Sequence, residues 1–138
     1  MSVRVFIFAY RKPGLSLSAF RERYEAHIDL VKRIATVDFP LSHRRSYIAR
    51  TELTSPLEGT NSTRNANTPA TVFVGQQSNF DFDATAELTF ADQAALQAFM
   101  AKVSAPDAAA QIAADEEGFL DRSELSIAML GDVVETTK

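Results

Sequence analysis

Residues 80–90 read FDFDATAELTF, and the alternation in this stretch decides the fold class. The even-numbered side chains from Phe80 to Phe90 are apolar, whereas the odd-numbered ones between them are Asp, Thr or Glu. Successive side chains of a strand point to opposite faces of a sheet, so a period of two predicts a β-strand with one buried face.

The chain on either side of this stretch supplies the other elements. Residues 3–11 are rich in β-branched and aromatic side chains and predict a strand, which Lys12-Pro13-Gly14 ends. Ser16 is a good N-cap for an amphipathic helix that runs to about Thr36. Further strands are predicted over 43–53 and 122–130, and further helices over 92–103 and 106–117.

The resulting order is βαββαβ, which predicts an α+β fold of the ferredoxin-like sandwich type. This arrangement is one antiparallel four-stranded sheet with helices on one face. Since the other face is left uncovered, we expect a homodimer.

Composition excludes several classes of protein. The 138 residues suit a single domain spanning 1–138, and the absence of cysteine excludes disulfides and thiolate chemistry. The net charge of −4 gives no reason to expect a nucleic-acid partner. No apolar run approaches the roughly 20 residues of a membrane span, and residues 1–6 lack the layout of a signal peptide, so we expect a cytoplasmic protein with no membrane partner.

Charge is distributed unevenly along the chain. Residues 1–50 carry a net +6 and residues 51–138 a net −10. The two halves are expected to attract each other, either as faces within the fold or as a complementary dimer surface.

The segment 54–79 is long and rich in Ser, Thr, Asn, Gly and Pro, with one apolar interruption at Val72-Phe73-Val74. Loops of this length are often lids or binding loops. We expect a mobile cover over a cavity mouth that docks through these three residues; a disordered surface insertion is the alternative.

The residues Tyr10-Arg11-Lys12-Pro13-Gly14-Leu15-Ser16, followed by Phe20, Tyr24 and His27, resemble the signature of the EthD-domain proteins. Residues 80–99 and 115–121 resemble later parts of that family in the same order. The resemblance implies a dimeric α+β barrel, in which two sheets pack face to face, with a ligand cavity between sheet and helices in each protomer.

The same resemblance implies a function. Relatives include cofactor-free cyclases, dehydratases, decarboxylases and anthrone oxygenases acting on aromatic polyketides, and many fungal members resemble tailoring enzymes of polyketide pathways. Only His27 is carried over from the family as a site residue. The second His or Pro that often follows it is replaced here by Ile28-Asp29-Leu30, so a paired-histidine mechanism is not expected.

His27 is the first catalytic candidate, because imidazole gains and loses a proton near neutral pH. It lies on the apolar stripe of the first predicted helix with Phe20 and Tyr24. We expect it to point toward the sheet, into a substrate pocket with these two residues and the aromatic residues of the first strand. The alternative is a hydrogen-bonded structural histidine in the core.

Other candidates come from the predicted strands. Asp83 and Glu87 share one strand face, where a carboxylate would orient the imidazole or act as a second base. The alternative is that both side chains are solvated or pair with Arg44, Arg45 and Arg50.

Aromatic residues and a second histidine are further candidates. Tyr47 either polarises a substrate carbonyl or is a packing residue. Phe6 and Phe8, which share a face with Tyr10, either flank a flat aromatic ligand or belong to the core. His43 is expected at the surface.

The sequence contains no phosphate-cradling loop, dinucleotide fingerprint or paired-histidine metal spacing, so we expect neither cofactor nor metal. The predicted function is a cofactor-independent lyase or cyclase that dehydrates, decarboxylates or closes a ring of an aromatic polyketide-type intermediate. The alternatives are a cofactor-free anthrone-type oxygenase and a non-catalytic ligand-binding accessory protein on the same scaffold.

Overall fold

The computed structural model describes residues 2–62 and 64–138. Its helices and strands follow the predicted order: β1 (Val3–Ala9), α1 (Leu17–Ala35), β2 (Ser42–Tyr47), β3 (Ala84–Phe90), α2 (Gln93–Ser104), α3 (Pro106–Glu116) and β4 (Ser126–Met129). The strands form one sheet in the order β2-β3-β1-β4, and each neighbouring pair is antiparallel. The α+β fold of the ferredoxin-like type is confirmed.

The first helix begins and ends where the sequence predicts. The Ser16 hydroxyl accepts a hydrogen bond from the Ala19 backbone N–H at 3.1 Å, which satisfies one of the unpaired donors of the first turn. The helix stops at Thr36, whose φ of 53° lies in the left-handed region. Its buried stripe includes Phe20, Tyr24 and His27.

The register of the sheet separates two sets of side chains. Val5 pairs with Leu88 on the face that packs against the helices, where the buried core lies. Phe6 pairs with Glu87, and Phe8 with Thr85, so these residues point to the opposite face. Successive side chains along a strand therefore alternate between the helix face and the uncovered face of the sheet.

The strand predicted over 80–90 is shorter than expected. It begins at Ala84, and residues Gln77–Phe80 form a turn of 3₁₀ helix. The ring of Phe82 lies 5.1 Å from the ring of Phe8, on the uncovered face instead of the helix face. The alternation fails here because the buried Arg50 side chain donates hydrogen bonds to the backbone carbonyls of Phe80 and Phe82 and holds this stretch in a turn.

The segment 54–79 packs against the sheet end rather than extending away from it. A backbone hydrogen bond from Leu57 to Ala66 joins its two sides, and one from Leu53, just before the segment, to Asn67 continues this pairing. The predicted docking of its apolar triplet is wrong within the protomer, because Phe73 is 95% exposed and Val74 is 87% exposed.

Part of the uneven charge is neutralised within the protomer. Arg4 pairs with Glu87 at 3.3 Å and Arg50 with Asp83 at 2.9 Å, and each pair joins the basic to the acidic half. No helix in the described part of the chain is long and apolar enough to cross a membrane.

Candidate active site

A cavity of about 250 Å³ lies between the sheet and the helices. Its wall is mostly apolar, and all four strands of the sheet and all three helices contribute to it. Its lining includes four side chains with polar atoms: Tyr24, His27, His43 and Glu116. An apolar cavity with a few convergent polar groups is the usual form of a small-molecule site.

His27 is held by a carboxylate on the third helix. Its Nδ1 lies 2.7 Å from Oδ2 of Asp115, while the residue as a whole is only 5% exposed. A carboxylate only accepts hydrogen bonds, so Nδ1 carries the proton and donates it. In the neutral ring, Nε2 is then the nitrogen with a free lone pair.

Glu116 follows Asp115 and lines the cavity. Its Oε2 lies 3.8 Å from Nε2 of His27, and its Oε1 lies 3.4 Å from Nε of Arg122. Burial raises the pKa of the Glu116 carboxyl, although the charges of His27 and Arg122 oppose this shift. The cavity therefore holds a carboxyl that takes up a proton more readily than an exposed glutamate.

Tyr24 lies one helical turn before His27 on the same stripe. The described residues offer no hydrogen-bond partner to its hydroxyl, and burial raises its pKa. The hydroxyl is thus protonated, and a ligand in the cavity can accept its hydrogen bond.

His43 also lines the cavity, on the neighbouring strand β2. Its Nδ1 lies 3.2 Å from Nη1 of Arg45, and its ring stacks on Phe39 with 6.3 Å between centroids. Arg45 in turn makes two hydrogen bonds to Glu25, of 2.6 and 2.7 Å. Burial and the charge of Arg45 lower the pKa of His43 to about 4, so the ring is neutral at neutral pH.

A family model for the EthD domain matches residues 12–123. The chain belongs to the EthD domain family. Among solved structures, an ethyl tert-butyl ether D (EthD) family protein of Bacillus halodurans C-125 aligns with a TM-score of 0.54 and 17% identity, over 96% of this chain and 100% of that chain. Protein At3g17210 of Arabidopsis thaliana aligns with a TM-score of 0.52 and 16% identity, over 98% and 99%. At these identities the likeness concerns the fold. No curated protein matches the sequence significantly.

Two of the site residues predicted for this EthD chain come together, namely His27 and Tyr24, which share the cavity wall. Phe20 packs behind Tyr24 in the core, with 5.8 Å between the two rings, and does not line the cavity. Tyr47 donates a hydrogen bond to Glu25 at 2.6 Å and contacts the edge of Tyr24, outside the cavity lining.

The prediction that aromatic residues of the first strand share the pocket of His27 is wrong. Phe6 and Phe8 point to the uncovered face of the sheet, with 5.2 Å between their rings. The helix face of this strand contributes Val5 and Ile7 to the cavity instead.

Asp83 and Glu87 also lie outside the cavity lining. The Asp83 carboxylate accepts hydrogen bonds from the Arg11 backbone N–H at 2.8 Å and from Nε of Arg50 at 2.9 Å. Glu87 pairs with Arg4 on the uncovered face. The alternative prediction, that these acids pair with arginines of the predicted second strand, is correct for Asp83, which binds Arg50. Neither carboxylate contacts His27.

Three polar residues of the site were not predicted from the sequence as site residues: Asp115, which bonds to His27, and Glu116 and His43, which line the cavity. Asp115 is separated from His27 by 88 residues, so no local spacing links them. One available signal is the acidic end of α3, because the dipole of a helix disfavours negative charge at its C-terminus. No group of three His, Asp or Glu side chains among the described residues is arranged to hold a metal ion.

The segment 54–79 contributes none of its described residues to the lining of this cavity. Instead, it contacts the chain just after β1, where Nη2 of Arg11 donates to Asn65 at 2.8 Å and to Thr68 at 3.0 Å. Its action as a mobile cover stays a prediction without geometric support.

Proposed function

We propose that this EthD protein is a cofactor-independent lyase or cyclase acting on an aromatic polyketide-type intermediate by general acid–base catalysis at His27. The observation that carries the proposal is the Asp115–His27 pair at the wall of an apolar cavity. The ring of His27 bonds to a carboxylate and borders a cavity, an environment that suits a histidine acting as a base.

The chemistry follows from the proton on Nδ1. Asp115 fixes the tautomer and stabilises the imidazolium that forms when Nε2 accepts a proton, as a carboxylate does in other histidine dyads. Nε2 then removes a proton next to a substrate carbonyl, and the imidazolium returns it to a carbon or to a departing hydroxyl. Dehydration and ring closure both require this exchange.

The cavity supports an aromatic substrate of modest size. A cavity of about 150 Å³ accommodates benzene, so a volume of about 250 Å³ suits a ligand with one or two fused rings. The apolar wall favours flat hydrocarbon surface, and the few polar atoms suit one or two oxygens. This supports a small aromatic polyketide-type intermediate as the substrate.

The proposal is tested by proton exchange on a simple ketone. 2-Tetralone has two fused rings and acidic C–H bonds beside its carbonyl, and its exchange in D₂O is followed by NMR. Positioned acid–base catalysis contributes about 10²–10⁴-fold, so His27→Ala should lower the catalysed rate by that order. His27→Gln, which keeps a hydrogen-bonding side chain but cannot titrate, should be nearly as damaging.

Glu22→Gln is the matched control, since Glu22 is exposed on the same helix. It should leave the rate unchanged. Full exchange activity in both His27 variants would overturn the proposal. Ligand binding without any exchange would indicate an accessory binding protein, and oxygen consumption with anthrone would indicate the oxygenase.

A further inference from the structure

His43 has its hydrogen-bonding direction fixed by its neighbours. The Arg45 guanidinium only donates hydrogen bonds, so Nδ1 of His43, 3.2 Å from Nη1, is the acceptor. The same Nη1 also donates to the His43 backbone carbonyl at 3.0 Å. In the neutral ring the proton is therefore on Nε2.

The arginine is itself held in place. Glu25 binds Nε and Nη2 of Arg45 together, which is the two-point geometry that a guanidinium and a carboxylate prefer. Tyr47 donates a third hydrogen bond to the same carboxylate. Because these contacts fix the guanidinium, the tautomer of His43 does not depend on a freely rotating side chain.

Nε2–H of His43 is left for a ligand. Among the residues that the structure describes, none accepts a hydrogen bond from this nitrogen, and the side chain borders the same cavity as His27. Stacking on Phe39, with planes 14° apart, restricts the tilt of the ring. A fixed donor in an apolar cavity stabilises negative charge more strongly than water does.

We infer that His43 is the oxyanion donor of the site, binding the carbonyl oxygen of the substrate through Nε2–H while His27 moves the proton. The inference rests on the proposed function and extends it from one histidine to two with different tasks. His27 changes its protonation state during the reaction, whereas His43 stays neutral and donates throughout.

Removal of the substrate proton involves only the substrate and the two histidine rings. Nε2 of His27 takes the proton from the carbon next to the carbonyl, and the electrons of that C–H bond form a new C=C bond. The carbonyl π electrons move to oxygen, which becomes an enolate oxyanion held by His43. The substrate class is therefore a small aromatic or aromatising ketone with an acidic C–H beside its carbonyl.

The contact is tested by binding of 4-nitrophenolate, whose oxygen resembles an enolate oxygen. 4-Nitrotoluene has the same ring without the oxygen and is the control ligand. His43→Phe retains an aromatic ring to stack on Phe39 but has no donor. A hydrogen bond to a charged group contributes about 1.5–3 kcal/mol, so this variant should bind 4-nitrophenolate roughly ten- to hundred-fold more weakly by calorimetry. Its affinity for 4-nitrotoluene should not change.

NMR of the ¹⁵N-labelled wild-type protein tests the tautomer without any substitution. Nε2 of His43 should be protonated, and its proton resonance should move downfield when 4-nitrophenolate is added. Arg45→Met should mix the two tautomers, whereas Arg44→Met should not, because Arg44 points to the opposite face of the sheet.

The outcomes separate this inference from the proposed function. Exchange of 2-tetralone that depends on His27, with 4-nitrophenolate binding insensitive to His43→Phe, overturns the role of His43 alone. Binding that depends on His43 without any exchange overturns the proposed catalysis and leaves His43 as a ligand contact. A wild-type protein that binds neither nitro compound, or a His43 protonated at Nδ1, also overturns the inference.

Discussion

Asp115 and Glu116 are adjacent acidic residues in an unfavourable place, the last turn of α3. Each is compensated by a different partner: Asp115 by Nδ1 of His27, and Glu116 by Arg122. Their environments also differ, since the side chain of Asp115 is 34% exposed and that of Glu116 only 16%. Neighbouring carboxyls in unlike surroundings suit different roles, one orienting the imidazole and one facing the ligand.

The role of Asp115 predicts the effect of Asp115→Asn. The amide can donate to Nδ1 of His27, which moves the ring proton to Nε2 and leaves that nitrogen unable to act as a base. We expect 2-tetralone exchange to fall by about two orders of magnitude or more, with the fold intact by circular dichroism. Asp107→Asn on the exposed start of the same helix is the control. Equal activity of the two variants would contradict the tautomer argument.

The lowered pKa of His43 predicts a loss of stability in acid. The ordinary value is 6.5, and in the folded chain it is about 4, so the unfolded chain binds more protons between these limits. The free energy of unfolding should therefore fall as the pH drops from about 6.5 to about 4. Hydrogen bonding to Arg45 lowers the pKa of Glu25 from 4.5 to about 2. This adds a separate loss of stability as the pH falls from about 4.5 to about 2.

Urea unfolding over this pH series measures the effect. His43→Phe should flatten the decline between about pH 6.5 and 4 and leave the decline below about 4.5 in place. An unchanged slope in this variant would show that His43 is not the group responsible.

At the scale of elements, a buried ionic cluster joins the ends of three segments. Asp83, next to β3, binds Arg50 beyond β2, and the backbone N–H of Arg11 beyond β1. Nη2 of Arg50 also donates to the carbonyl oxygens of Phe80 and Phe82 at 2.7 and 2.8 Å. These bonds hold the chain in a turn where the sequence pattern alone predicts a continuous strand.

Removing the carboxylate of this cluster should destabilise the fold. In Asp83→Ala, the Arg50 side chain, which is only 1% exposed, loses its ionic partner. Breaking a buried ion pair on one side costs about 3–5 kcal/mol, and we expect a decrease of that order in urea unfolding. Glu58→Gln, an exposed acid of segment 54–79, should change stability by less than about 0.5 kcal/mol.

The same variant tests the catalytic role first considered for Asp83. Since Asp83 does not line the cavity, the fraction of Asp83→Ala that is folded should retain its exchange rate with 2-tetralone. Stability close to wild type combined with lost exchange would reverse this assignment.

The elements that the sequence predicted well are those specified by local pattern. The N-cap of α1 and the stripe that places Tyr24 and His27 together depend on residues within a few positions of each other. The partners of His27 and Asp83 depend on tertiary contacts, separated by 88 and up to 72 residues. Periodicity carries no information about such distant pairs, so it could predict neither the pairing of Asp115 with His27 nor the turn before Ala84.

On the scale of the whole molecule, the sheet has two unlike faces. The helix face is covered and contains the cavity, whereas the other face presents Phe6, Phe8 and Phe82 beside the Arg4–Glu87 pair. Phe6 and Phe8 are only partly buried in the protomer. Adjacent aromatic rings on a flat face are characteristic of a protein–protein contact surface.

This uncovered face predicts a homodimer in which two sheets pack against each other. The wild-type protein should sediment as a dimer at micromolar concentration. Phe8→Glu places a charge among the aromatic rings of the face, and burial of an unpaired charge is costly, so this variant should sediment as a monomer. Val37→Glu is the control, because Val37 is 92% exposed and lies in the turn after α1, which contacts α1 and α2. It should remain dimeric. A wild-type monomer would contradict the predicted barrel.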